Sequence, residues 1–297
     1  MTINVDTSTR RGNLGGLRRM VARRVASMLL VTVAVTLCMF ALAAASSFDP
    51  LAQHLGAEYH NLTAAERAAT AAALGLDQPW WRQWFNWASG AARGDLGFSR
   101  TYNRDVADVL AQRLPLTLLL SAVSMVVAFI AALVLGVVAG SRPGGRVDRM
   151  VSAFAALLAA VPPFVWAMGT ILVFAVTLNV IPAGGAGPIG QVPTASTAFS
   201  PYLIAPASVL ALTQLPWPLL AVREAAATAH RSTAVEAARG RGLPSTRVLT
   251  HHVLPMSVSP AVSIFGARLG DLVAGAVVVE AVFAWPGVAG ATIDAAT

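Results

Sequence analysis

Four stretches of this sequence run for more than 20 residues without a charged side chain: Val25–Phe48, Leu114–Gly140, Val151–Pro182 and Tyr202–Val222. A fifth, Val258–Trp285, is interrupted only by Arg268, Asp271 and Glu280. A membrane span needs about 20 predominantly apolar residues. Inside hydrocarbon the backbone must satisfy its own hydrogen bonds, which leaves helices or closed barrels. A barrel would read as alternating segments of roughly 10 residues, and no such alternation is present. The expected fold class is an all-α integral membrane protein, a helical bundle with five visible transmembrane helices. The charged fraction of 12% agrees, since soluble domains carry about 25%. The first run exceeds the roughly 7–15 residues of a signal-peptide core and lacks a cleavage site, so it reads as a retained helix.

Charge sets the orientation. The net charge is +7, and the chain contains no Lys. Arg10, Arg11, Arg18, Arg19, Arg23 and Arg24 precede the first run. Arg142, Arg146 and Arg149 fill the connection between runs two and three, and Arg223, Arg231, Arg239, Arg241 and Arg247 fill that between runs four and five. The third connection is uncharged. This is the positive-inside pattern, and it argues against a nucleic-acid surface. It divides the chain into a cytoplasmic N-terminal arm, 1–24, and a transmembrane domain, 25–297. Within that domain, 49–113 is an outer helical segment and 223–255 a cytoplasmic loop. Six Arg in the outer segment do not break the rule, because long loops translocate largely regardless of charge and seven acids accompany them. The single cysteine, Cys38, lies within an apolar run, so no disulfide forms within the chain and a thiolate cluster is excluded.

In the outer segment, Thr63-Ala-Ala-Glu66 reads as a capping box. An Ala-rich helix follows, closed by Gly75, and Pro79 suits the start of the next. That next helix carries Trp80, Trp81, Trp84, Phe85 and Trp87, residues that favour the membrane–water interface. Runs three and four contain Pro162, Pro163, Pro206, Pro216 and Pro218, which predict kinks.

The stretch TAVEAARGRGLPSTRVLTHHVLP, Thr233–Pro255, is charged and hinged between two apolar runs. Thr233-Ala-Val-Glu236 predicts a capping box, Gly242 a helix stop, and Ser245–Leu254 a second short helix ending at Pro255. Helices of about 10 residues are marginal alone, so both must dock on something. The membrane surface is one candidate and a cytoplasmic partner the other, and in a partner Val235, Ala238, Val248 and Leu249 could fill a groove.

Glu236-Ala237-Ala238, three residues, Gly242, nine residues, one further position, then Val253-Leu254-Pro255 resembles the EAA loop of ABC importer permeases. His252 stands where that pattern prefers Ile. Asp49-Pro50, Gly75-Leu76-Asp77 with Pro79, Gly94-Asp95-Leu96-Gly97 with Ser99, and Val279-Glu280 with Phe283 and Trp285-Pro286-Gly287 fall in the order of the dipeptide/oligopeptide permease branch, B-type, the binding-protein-dependent transport system inner-membrane component. The resemblance runs from about Leu17 to the end. It implies an ABC type I importer permease-like fold, with a sixth span expected in the full-length chain. It implies a bacterial cytoplasmic membrane location. It also implies a second permease subunit, two cytoplasmic ABC ATPases and an extracytoplasmic substrate-binding protein as partners. ATP and Mg would then be held by the ATPases, with no cofactor, metal or catalytic residue in this chain. Val235, Glu236, Ala237, Ala238, Arg239, Arg241, Gly242, Leu254 and Pro255 would form the ATPase-coupling site. The absence of Lys agrees, because a Walker A loop requires one.

Arg268, Asp271, Glu280 and Trp285 are candidates for the translocation path or gate, with Glu280 expected to hold either the outer gate or the re-entrant turn at Trp285-Pro286-Gly287. Arg268 and Asp271, spaced i, i+3, read equally as an internal ion pair or as a pore-lining pair. The resemblance implies that this chain and the second permease form the translocation path for dipeptides or oligopeptides delivered by the binding protein, with nickel or another small solute as the alternative cargo. A secondary transporter or channel without an ATPase is the competing class, although no repeat is visible. All five His lie outside the apolar runs, which argues against an intramembrane metalloenzyme.

Overall fold

In a computed structural model, residues 9–46, 49–188 and 201–296 are described. The start of the N-terminal arm, 1–8, and residues 189–200 of the uncharged connection lie outside them. The chain divides into two compact units, 1–107 and 108–297.

In the first unit, α1 spans Thr9–Ala45. It takes in the arm from Thr9 onward, and its Arg18–Ala45 part is long and apolar enough to cross a membrane. Asp49 caps the short helix α2 (Pro50–Leu55) by accepting the Leu51 N–H at 2.9 Å, and the Tyr59 hydroxyl donates to its other oxygen at 2.6 Å. These two hydrogen bonds hold the Asp49 carboxyl below its ordinary range, that from Tyr59 most. The expected capping box on α3 (Ala64–Ala73) is present: the Thr63 hydroxyl accepts the Glu66 N–H, and the Glu66 carboxylate accepts the Thr63 N–H at 2.8 Å. Gly75, at φ +68°, ends α3 as expected. Helix α4 (Trp80–Ala91) lies against α1 through Trp84, whose indole donates to the Thr36 hydroxyl at 3.1 Å, and through Trp87 beside Phe40. A two-residue hairpin, β1 (Phe98–Ser99) with β2 (Arg104–Asp105), closes the unit.

The second unit is a helical bundle. Its first helix, α5, spans Val106–Gly140. Then α6 (Arg146–Ala160) turns by 99° at Pro162 and Pro163 into α7 (Pro163–Thr170), which continues as a π-helical stretch to Thr177. The next pair is α8 (Pro201–Gln214) and α9 (Pro216–His230), bent by 53° at Pro216. Short α10 (Thr233–Gly240) and α11 (Ser245–Val248) lead through a π turn, Leu249–Val253, into α12 (Leu254–Ala267), α13 (Leu269–Val282) and α14 (Val288–Ala296). Among the described residues three helices are long and apolar enough to span, and five spans result if each bent pair counts as one. The first four expected runs coincide largely with these segments, whereas the fifth, Val258–Trp285, overlaps the Ser245–Ala267 span only in part and continues into α13.

The last run differs in detail. The second short helix does not end at Pro255. It runs unbroken from Ser245 to Ala267, so the loop feeds directly into a span. The π turn explains how. Leu254 N–H reaches back to the Leu249 carbonyl, and this wider turn clears the carbonyl that a proline ring would strike in a regular helix. The break falls instead at Arg268.

Candidate functional site

Helix α10 begins one residue earlier than its sequence suggests. Ser232, not Thr233, is the cap: its hydroxyl accepts the Val235 N–H at 3.4 Å and donates to the Ala229 carbonyl at 2.7 Å. Ser232 follows directly on the end of α9, so it can serve both helices, which Thr233 could not. The other end is as expected. Gly242, at φ +77°, takes the left-handed position. Its N–H donates to Arg239 O at 2.8 Å, and the Leu243 N–H to Ala238 O at 3.2 Å. That pair of bonds is a Schellman closure, and a residue with a Cβ would be strained at its glycine.

Which face α10 exposes overturns part of the sequence reading. Val235 and Ala238 are fully buried within this chain, packed with Val222, Ala226, Val248 and Val253. They bind the loop to its own bundle rather than fill a partner's groove. Glu236, Ala237, Arg239, Arg241 and Gly242 face outward, and Arg239 lies 3.0 Å from the His230 imidazole. Pro255 is exposed and Leu254 half-buried at the start of α12.

The platform beneath is rigid for identifiable reasons. Gly136 and Gly140 bring α5 against α9, where a Cβ on Gly136 would meet the Val222 side chain at 2.8 Å and one on Gly140 would overlap the Arg223 carbonyl. Small residues four apart allow such close approach between membrane helices. Asp148, at the start of α6, receives Arg223 through two bonds of 2.7 and 2.6 Å and also accepts the Gly144 N–H at 2.7 Å. The turn after α5, the start of α6 and the body of α9 therefore meet at one carboxylate.

The acidic residues of the last run serve two different ends. Glu280 is buried, receiving the Thr117 hydroxyl at 2.6 Å and the Ala289 N–H at 2.8 Å. A Cβ on Gly287 would overlap its carboxylate. Trp285 is also buried, its indole donating to the Leu116 carbonyl at 3.3 Å. Both side chains fasten the turn between α13 and α14 onto α5. Arg268 and Asp271 behave otherwise. They pair at 2.9 Å with side chains 31% and 59% exposed.

Residues 132–297 match the family described as binding-protein-dependent transport system inner membrane component. The chain is 30% identical, over 93% of its length and 86% of the relative's, to a di/tripeptide transport system permease protein of Pseudomonas aeruginosa. It is 28% identical, over the same shares, to an oligopeptide transport system permease protein of Bacillus subtilis. It is 30% identical, over 74% of its length and 69% of the relative's, to a glutathione transport system permease protein of Escherichia coli. The chain belongs to this permease family. It is a membrane component of a transport system.

Sequence reading of this permease missed Asp148 and Arg223 as a pair, counting Arg223 only as a loop charge. Two signals were available: Asp148 is the one acid among the Arg residues of 141–149, and Gly136 and Gly140 carry the close-packing spacing. Nothing local marks Thr117 as the partner of Glu280, because 163 residues separate them.

Proposed function

We propose that this permease carries peptides, as one of two related membrane subunits driven by two cytoplasmic ATPases that hold ATP and Mg. An extracytoplasmic binding protein delivers the cargo. The N-terminus and the 223–255 loop lie in the cytoplasm, on the side marked by the Arg clusters. ATP hydrolysis belongs to the partners, since this chain has no Lys for a Walker A loop. The relatives' named cargoes are di- and tripeptides, oligopeptides and glutathione. All are built on peptide bonds, which favours peptides over nickel.

The observation that carries the coupling role is the division of α10 into two faces. Its buried face, Val235 and Ala238, transmits force into α9 and α12. Its outward face, Glu236, Ala237, Arg239, Arg241 and Gly242, offers charge and shape to a soluble partner, with Leu254 and Pro255 leading into the span. A push on the outward face moves the span directly, because the helix from Ser245 to Ala267 is unbroken. The test is gentle affinity purification from the native membrane, with mass spectrometry of what co-purifies. A second permease and Walker-A-bearing ATPases are expected. Glu236→Ala with Gly242→Val should shed the ATPases and keep the second permease. A chain that purifies alone, where other importers stay intact, would return the secondary-transporter reading.

A further inference from the structure

Two helix discontinuities meet inside the second unit. One separates α8 from α9 at Leu215, in the middle of the Pro201–His230 pair. The other separates α12 from α13 at Arg268. Gln214, the last residue of α8, donates its side-chain amide to the Asp271 carbonyl at 3.4 Å. Trp217, in the first turn of α9, lies under the Arg268 guanidinium at 5.3 Å. The Arg268–Asp271 ion pair thus sits between the break in the Pro201–His230 pair and the end of the Ser245–Ala267 helix.

The pair is poorly placed for a purely internal role. Asp271 is more exposed than buried, and Arg268 keeps its Nε buried without a hydrogen-bond partner. Facing lipid, such charges would be costly, so ionisable side chains in spans face a water-filled path or another polar group. Trp217 is itself 55% exposed and holds the cation on an aromatic face, which leaves the far side of the guanidinium open to a second anion. Breaks between helices are where carriers expose polar groups to cargo.

We infer that Arg268, Asp271 and Trp217 form a subsite for the charged termini of a free peptide in transit. Arg268 receives the carboxylate and Asp271 the ammonium group, the two exchanging their mutual bond for the cargo's. The cavity this chain encloses beside Arg268 is only about 10 Å³, far smaller than a small-molecule site of roughly 300–1,000 Å³. The subsite is therefore one wall, completed by the second permease. This inference rests on the peptide reading above.

The assembled transporter, reconstituted in vesicles with its binding protein and ATP on the ATPase side, is assayed with a zwitterionic dipeptide and with its C-terminal amide. The binding protein is the same throughout, so any change in the acid-to-amide uptake ratio belongs to the membrane subunits. Arg268→Gln should lower that ratio about tenfold, the loss of one charge-assisted hydrogen bond. Asp271→Asn should leave this ratio unchanged and instead erase the preference for a free over an acetylated amino terminus. Equal loss of uptake for every cargo would overturn the subsite. So would a charge-swapped Arg268→Asp/Asp271→Arg variant with wild-type ratios, or loss of the second permease from both single variants. If the unmodified transporter imports no peptide at all, the peptide reading itself fails.

Discussion

Two Arg–Asp pairs among the described residues of the bundle have opposite character. Asp148–Arg223 is bidentate, joins residues 75 apart in sequence and keeps its carboxylate 4% exposed, with a backbone N–H as third partner. Arg268–Asp271 is a single contact within one turn, open on one side. The first has every oxygen of its acid committed and nothing left to offer a ligand. The second has spare bonding capacity on both members. Residue type and distance are nearly the same in the two, so satisfaction of the remaining bonds is what separates a structural pair from an available one.

Stability measurements should split the pairs widely. Removing one member of a buried pair costs about 3–5 kcal/mol. Asp148→Asn should fall toward the lower end, because Arg223 keeps Glu224 at 2.9 Å. Its expected signature is a large drop in the denaturation midpoint of the purified permease. Asp271→Asn should lower the same midpoint by no more than ~1 kcal/mol equivalent, as an exposed pair contributes little. Equal losses from both variants would remove the distinction.

A smaller effect is expected where packing supports the buried pair. Gly140→Ala drives a methyl group into the Arg223 backbone, and overpacking costs about 1–3 kcal/mol. Gly270, which has open space around its Cα, should accept Ala at no cost in the same melting experiment. A neutral Gly140→Ala would mean that α5 and α9 can separate easily, and the platform under α10 would then be soft. Glu280→Gln keeps one acceptor oxygen where two are used, so it should cost roughly 1–3 kcal/mol. Thr117→Val should reproduce part of that loss without touching the charge.

Much of this was legible in the sequence, and what was not has a common cause. Four of the spans follow from uncharged runs, and the cap at Thr63 and the stops at Gly75 and Gly242 follow from local chemistry acting within a few residues. Arg268 and Asp271 were readable for the same reason, being one turn apart. The inward face of α10 was not. Val235 and Ala238 look like a free apolar stripe until α9 and α12 are folded around them. The partners of Glu280 and Trp285, Thr117 and Leu116, were not legible either, because they lie more than 160 residues earlier. The cap at Ser232 was missed because its second bond belongs to the preceding helix.

The smallest expected effect lies in the outer segment, where a surface carboxylate is held by two bonds to one of its oxygens. Glu66 accepts the Thr63 hydroxyl and the Thr63 N–H, and those bonds, the hydroxyl first, hold its carboxyl below the ordinary range. A lowered folded value means that the ionised form is favoured by folding. The cap's contribution is therefore fully present above the ordinary carboxylate range and disappears as the pH falls through the depressed value. Hydrogen exchange of the Thr63 amide, corrected for its intrinsic pH dependence, should lose protection over that acid window, while amides in the middle of α3 change less. In Glu66→Gln the acid step should vanish, because the side chain no longer titrates. A step that persists in Glu66→Gln would assign it to Asp49, whose lowered carboxyl lies in the same unit, and would show that the α3 cap contributes nothing measurable at the surface.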